Sequence, residues 1–182
     1  MFTGLVEEVG IITNHINTKD GIEIEINANI IMEDLKVNDS ISCSGICLTV
    51  TSINDSNFKV QIVEETLSRT TARTWQAGTK INLERSLLPS SRMGGHFVQG
   101  HVDRVIKLIK IIPGQDSAVW HFAQTSDIDK YIVEKGSICL DGISLTIALK
   151  EKEYFSVALI PHTLSVTTWK QKKVGELINV EV

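Results

Sequence analysis

Along much of the chain, hydrophobic and polar residues alternate. Ile22, Ile24 and Ile26 are separated by Glu23 and Glu25, and Phe58, Val60 and Ile62 by Lys59 and Gln61. Phe155, Val157 and Leu159 repeat the pattern. A period of two predicts half-buried strands, and many short strands separated by turn signals predict an antiparallel sandwich or barrel. Short helical turns are predicted to begin near Thr66 and Thr163, with each threonine as N-cap. At Gly45 the alternation changes phase. Ile41 and Cys43 precede it at odd positions, whereas Ile46, Leu48 and Val50 follow at even ones. Ile138 and Leu140, then Ile143, Leu145 and Ile147, change phase in the same way around Gly142. A strand can change face only through a bulge or a tight turn, which glycine permits. Beyond the change, Cys47 and Thr49 face away from the apolar side, as do Ser144 and Thr146.

The two phase changes belong to an internal repeat. At an offset of 97, residues 39–84 overlay residues 136–181 without a gap, and 17 of the 46 positions are identical. Ordinary composition would give roughly three. TLSRTT at Thr66–Thr71 matches TLSVTT at Thr163–Thr168, and INLE at Ile81–Glu84 matches INVE at Ile178–Glu181. At an offset of 96, FTGLVE at Phe2–Glu7 resembles VQGHVD at Val98–Asp103. Two copies are too few for a solenoid. The expectation is two similar domains, residues 1–90 and 91–182, divided within Ser86–Gly95, which is rich in serine, proline and glycine.

Composition narrows the class. With 18 basic and 22 acidic residues the net charge is −4, and 42% of residues are hydrophobic, so the chain has material for real cores and no basic excess for nucleic acid. Aromatics at 5% are too few for base-stacking platforms. No apolar run approaches the roughly 18 residues of a membrane span, and MFTGLVEEVG is not a signal peptide. Cys43, Cys47 and Cys139 form an odd, sparse set, which points to a reducing, cytoplasmic setting.

The densest chemistry lies in GGHFVQGHVD, Gly94–Asp103, where His96 and His101 stand among three glycines. Histidine suits proton transfer near neutrality. His101 matches Leu5 in the first copy, so it breaks the repeat's symmetry. Cys47 matches Ser144, one copy offering a thiol and the other a hydroxyl. Lys135, and Asp141 opposite Ser44, are further asymmetries. Cys43 and Cys47 with His96 and His101 have a spacing that zinc accepts. The phase change turns the two cysteines to different faces, so no metal site is expected.

MFTGLVEEVG, SGICLTV, EETLSRTT, GGHFVQGHVD, LDGISLTI and LIPHTLSVTT together resemble the riboflavin synthase alpha-chain family, in the same order and spacing over essentially the whole chain. The resemblance implies an all-β protein of two tandem, pseudo-symmetric, six-stranded antiparallel Greek-key barrels with short helical turns. It implies a transferase that dismutates two molecules of 6,7-dimethyl-8-ribityllumazine by four-carbon transfer. The products are riboflavin and 5-amino-6-ribitylaminopyrimidinedione, and neither metal nor organic cofactor is involved. It also implies a homotrimer with an intersubunit active site, and no nucleic-acid or membrane partner.

Carried over position by position, the first pocket uses Gly4, Leu5, Val6, Cys47, Leu48, Thr49, Gln61, Ile62, Val63, Glu64, Glu65 and Thr66. The second uses Gly100, His101, Val102, Lys135, Ser144, Leu145, Thr146, Ala158, Leu159, Ile160, Pro161, His162 and Thr163. His101 is expected to move a proton, while Cys47 and Ser144 position or add to the ring. Family members commonly carry Asn at the place of Ser44, so one ligand hydrogen bond is expected to differ. They also usually continue past the last strand into a helix that helps assemble the trimer, and a weaker assembly is expected if that helix is absent. The alternative is a non-catalytic lumazine- or flavin-binding antenna protein of the same fold. Retention of Cys47, His101, Lys135 and Ser144 favours the enzyme.

Overall fold

A computed structural model describes all residues, Met1–Val182. The first copy contains β1 (Glu8–Thr18), β2 (Gly21–Asn27), β3 (Ser40–Cys43), β4 (Ile46–Asn54), β5 (Asn57–Val63), α1 (Glu64–Arg69) and β6 (Lys80–Arg85). The second contains β7 (Arg104–Pro113), β8 (Ala118–Ala123), β9 (Ser137–Leu140), β10 (Ile143–Lys150), β11 (Tyr154–Leu159), α2 (Pro161–Val166) and β12 (Leu177–Glu181). Each set closes into an antiparallel six-stranded barrel, in the orders β1-β2-β5-β4-β3-β6 and β7-β8-β11-β10-β9-β12. The strands of the two barrels leave residues 86–103 as the connection. No helix is long and apolar enough to cross a membrane.

The alternating residues fill the barrels. Ile24, Ile26, Phe58 and Val60 are fully buried in the first, and Phe122, Phe155 and Val157 in the second. Burying each large apolar side chain contributes roughly 1.5–3 kcal/mol. The cores are not identical. Ala72 in the first copy corresponds to Trp169, which stacks on Trp120 with ring centroids 5.0 Å apart.

The phase changes are tight hairpin turns. Ser44 and Gly45 have φ of 46° and 83°, and Asp141 and Gly142 have 48° and 78°. Two successive left-handed residues make the two-residue turn whose twist matches antiparallel strands. The Ser44 hydroxyl accepts from the backbone N–H of Asn82 on β6 at 3.1 Å, tying the turn to that strand. The Ser44 side chain is thus engaged in holding the hairpin against β6. The helices also differ from expectation. α1 and α2 begin at Glu64 and Pro161, so Thr66 and Thr163 lie inside them. The side chains that cap are Thr70 and Thr167, which accept from the N–H groups of Ala72 and Trp169, both at 3.3 Å, at the start of the tight turns that follow.

The barrels meet around a pseudo-twofold axis. Phe2 and Val98 exchange backbone hydrogen bonds at 2.7 and 3.1 Å, so the segment before one barrel pairs with its equivalent before the other. The hairpins touch so closely that a Cβ on Gly45 would lie 2.8 Å from the Gly142 nitrogen. Asn82 and Asn179, each 1% exposed, bind reciprocally. The Asn82 amide donates to the Asp141 carbonyl at 2.8 Å and its oxygen accepts from the Thr168 N–H at 2.8 Å. Asn179 donates to the Ser44 carbonyl at 2.9 Å and accepts from the Thr71 N–H at 2.8 Å.

Candidate active site

In each closed barrel one ladder is splayed at one end, leaving a seam. The β4–β5 ladder runs from Asn54–Asn57 only as far as Val50–Val60, although β4 begins at Ile46 and β5 continues to Val63. The β10–β11 ladder likewise ends at Ile147–Val157. Cys47–Thr49 therefore pair with β3 and Gln61–Val63 with β2, but not with each other. Ser144–Thr146 and Ala158–Leu159 are separated in the same way. The splayed ladders set Cys47–Thr49 opposite Gln61–Val63 in the first barrel and Ser144–Thr146 opposite Ala158–Leu159 in the second.

The start of each seam is filled by a loop from the other half of the chain. Cys47 opposes Ser42 across β3–β4, as the non-hydrogen-bonded pair next to the turn-closing Cys43–Ile46 pair. Its N–H thus points away from β3 and donates to the Gly100 carbonyl at 2.8 Å. Ser144 donates to the Gly4 carbonyl at 2.7 Å. Val102 packs on the first core and Val6 on the second. This corrects the expected grouping. Gly100, His101 and Val102 stand at the Cys47 seam, and Gly4, Leu5 and Val6 at the Ser144 seam. Repeat matching identifies the copy a residue belongs to, not the barrel it touches, and here the connecting segments cross. Gly4 and Gly100 have φ of 76° and 80°, and a Cβ on either would lie under 3 Å from the residue it docks on.

Two buried carboxylates hold these loops. Glu181 accepts from the N–H groups of Gln99, Gly100 and His101 at 2.6, 2.7 and 3.0 Å. Glu84 accepts from the Thr3 N–H and hydroxyl, both at 2.7 Å, and from the Gly4 N–H at 3.0 Å. Burial raises the Glu84 carboxyl above its ordinary range, against the opposing pull of those hydrogen bonds. Neither glutamate was singled out by sequence pattern, though their presence in both copies, as the last residue of INLE and of INVE, was the available signal.

The first seam thus joins a half-buried Cys47 to an exposed His101. The second joins Ser144 to His96, whose Nδ1 shares a 2.6 Å hydrogen bond with the serine hydroxyl. Burial holds the His96 imidazole below its ordinary value of 6.5, favouring the neutral ring. Cys43 and Cys139 are buried in apolar surroundings, and desolvation pushes both thiols up. Exposed Gln61, Val63, Glu64 and Glu65 border the first seam, and exposed Ala158, Ile160, Pro161 and His162 the second. Thr66 and Thr163 are half-buried, as is Leu145, while Thr49, Thr146 and Lys135 are exposed. Leu48, Ile62 and Leu159 point into the cores, so at these positions only the backbone can meet a ligand.

The lumazine binding domain family matches this chain twice, over residues 3–86 and 99–182. Riboflavin synthase of Schizosaccharomyces pombe is 43% identical over 184 residues, covering all of this chain and 88% of the relative. That of Saccharomyces cerevisiae is 41% identical, covering all of this chain and 82% of the relative. The chain belongs to the riboflavin synthase family. Riboflavin synthase of Actinobacillus pleuropneumoniae, 38% identical over 100% of this chain and 84% of its own length, extends the relationship to a bacterial enzyme. This member of the riboflavin synthase family is accordingly a transferase of riboflavin synthesis. Crystal structures of LumP with 6,7-dimethyl-8-(1'-D-ribityl) lumazine and with riboflavin superpose with TM-scores of 0.90 and 0.91. They are 22% and 24% identical and cover all of this chain and 99% of LumP, a likeness of fold.

Proposed function

We propose that the two seams hold two molecules of 6,7-dimethyl-8-ribityllumazine, and that a four-carbon unit passes from one to the other to give riboflavin and 5-amino-6-ribitylaminopyrimidinedione. The observation carrying this reading is the paired seams: equivalent in backbone, each closed by a loop from the other half, and furnished with different side chains. Identical substrates in unlike roles call for equivalent pockets with unlike chemistry. His101 moves a proton to or from the acidic C7 methyl group of one lumazine. Cys47 and Ser144 position the rings or add to them, directly or through water. Holding two flat rings in register contributes roughly 7–11 kcal/mol towards a bimolecular barrier. The seams of one chain belong to different barrels, which supports an assembly, a homotrimer, in which the first barrel of one subunit faces the second barrel of another. Three unpaired thiols support a cytoplasmic setting.

The test is incubation with dimethylribityllumazine, following riboflavin by absorbance and fluorescence. Turnover that collapses in His101→Ala supports the reading. Stoichiometric tight binding without turnover would replace it with an antenna role, and a His101→Ala enzyme of unchanged turnover would remove the proton-transfer assignment.

A further inference from the structure

Glu181 is the second residue of the chain, after Cys47, to fix where His101 stands. It lies at the end of β12 in the second barrel and is paired there with Cys139, yet the loop it grips lies on the first barrel's seam. Three successive N–H groups, of Gln99, Gly100 and His101, converge on its two oxygens. A run of backbone donors around one anion is a recurrent way of fixing a loop, and charge-assisted bonds of 2.6–3.0 Å are its strong form. The opposite face of the same loop is held by the Gly100 carbonyl on the Cys47 N–H. The backbone at His101 is held between these anchors, because it follows Gly100 directly and its own N–H is one of the three donors.

We propose that Glu181 is a positioning residue for the reaction. As an obligate acceptor it sets the direction in which His101 leaves the backbone, and so couples the second barrel to the chemistry of the first seam. Glu84 does the same for the Thr3–Leu5 loop at the second seam, where the residue presented is an exposed leucine. The first clamp therefore acts on proton transfer and the second on ring binding. This inference rests on the proposed role of His101.

Glutamine keeps the shape of glutamate but puts an NH2 group where one acceptor oxygen stood, leaving at least one loop N–H facing a donor. In Glu181→Gln, kcat is expected to fall about tenfold to a hundredfold, the scale of a misplaced catalytic group, with KM changed by no more than about threefold. In Glu84→Gln the larger change is expected in KM. A purely structural role would lower the active fraction in both variants and split neither. Glu181→Asp retains both acceptor oxygens and is expected to fall between wild type and Glu181→Gln; it carries the same comparison if the glutamine variant does not fold. Amide hydrogen exchange at Gln99, Gly100 and His101 reads the clamp without activity. Faster exchange in Glu181→Gln supports it, and unchanged exchange or an unchanged kcat overturns it. If His101→Ala retains turnover while exchange in Glu181→Gln accelerates, the catalytic reading of His101 has failed and the positioning role with it, while the hold of Glu181 on the loop stands.

Discussion

The Ser144 hydroxyl lies 2.6 Å from His96 Nδ1, on a strand whose backbone N–H is already committed to the Gly4 carbonyl. Nδ1 can accept the serine proton only while the ring is neutral, and burial favours the neutral form. The His96 ring protons are therefore expected to titrate below 6.5 in NMR spectra of the folded protein. Because the folded pKa lies below the unfolded one, the unfolded chain takes up the proton first as pH falls. The stability contributed is present above about 6.5 and is lost as pH drops through the folded midpoint. The urea midpoint of wild type should fall more steeply with acidification than that of His96→Gln. An imidazole titrating above 6.5 would contradict this.

Cys43 and Cys139 are 0% and 1% exposed, with thiols pushed up by desolvation, while Cys47 is half-buried beside the open seam. The thiolate is the reactive species, and it needs both ionisation and access. Iodoacetamide should label one thiol in the folded protein, at Cys47, and three in urea. Peptide mass mapping that finds Cys43 or Cys139 labelled at a comparable rate without denaturant would refute this. Dimethylribityllumazine should slow the labelling.

Gly4 and Gly100 are the points at which the crossing loops touch the seams. A Cβ on Gly100 would lie 2.6 Å from Cys47 Cβ, and one on Gly4 would lie 2.6 Å from the Ser144 nitrogen. Alanine also carries a left-handed strain of about 1–2 kcal/mol. Gly100→Ala and Gly4→Ala are each expected to lower unfolding free energy by about 1–3 kcal/mol and to abolish most riboflavin formation. Denaturation curves and turnover on the same samples measure both. An alanine variant with wild-type stability and rate would show that the loops do not dock as described.

Asn82 and Asn179 each satisfy one carbonyl and one N–H of the opposite barrel. Replacing either by alanine leaves buried groups unpartnered, at about 1–3 kcal/mol per group. The second substitution should cost less than the first, because the two share one interface and are not independent. A double-mutant cycle in urea checks this, and strict additivity would count against a shared interface.

Alternation at Ile22–Ile26, Phe58–Ile62 and Phe155–Leu159 sufficed to predict strands and their buried faces, because a strand's side chains project by a local rule of period two. The phase change at Gly45 and Gly142 located the hairpins for the same reason: a face cannot switch without a turn. The repeat was legible as residue identity at a fixed offset. Ser144, Cys47 and His101 stood out as candidates through departures from that repeat.

Other features depend on which chain segments meet, and no local rule encodes that. Matching Gly4–Val6 with Gly100–Val102 was correct as homology within the chain, yet each segment docks on the opposite barrel. The Cys47 and Ser144 N–H groups point away from their own hairpins and take whichever carbonyl the crossing loops bring. Glu84 and Glu181 read in sequence as ordinary strand-end acids, and they become clamps only where three donors close on each. The alternating pattern by itself determined the strands and their buried faces, because burying alternate side chains is a local free-energy requirement, and the repeat determined that there are two copies. Only the tertiary structure decided how the seams are furnished, because backbone groups left over after strand pairing must find partners across the pseudo-twofold axis.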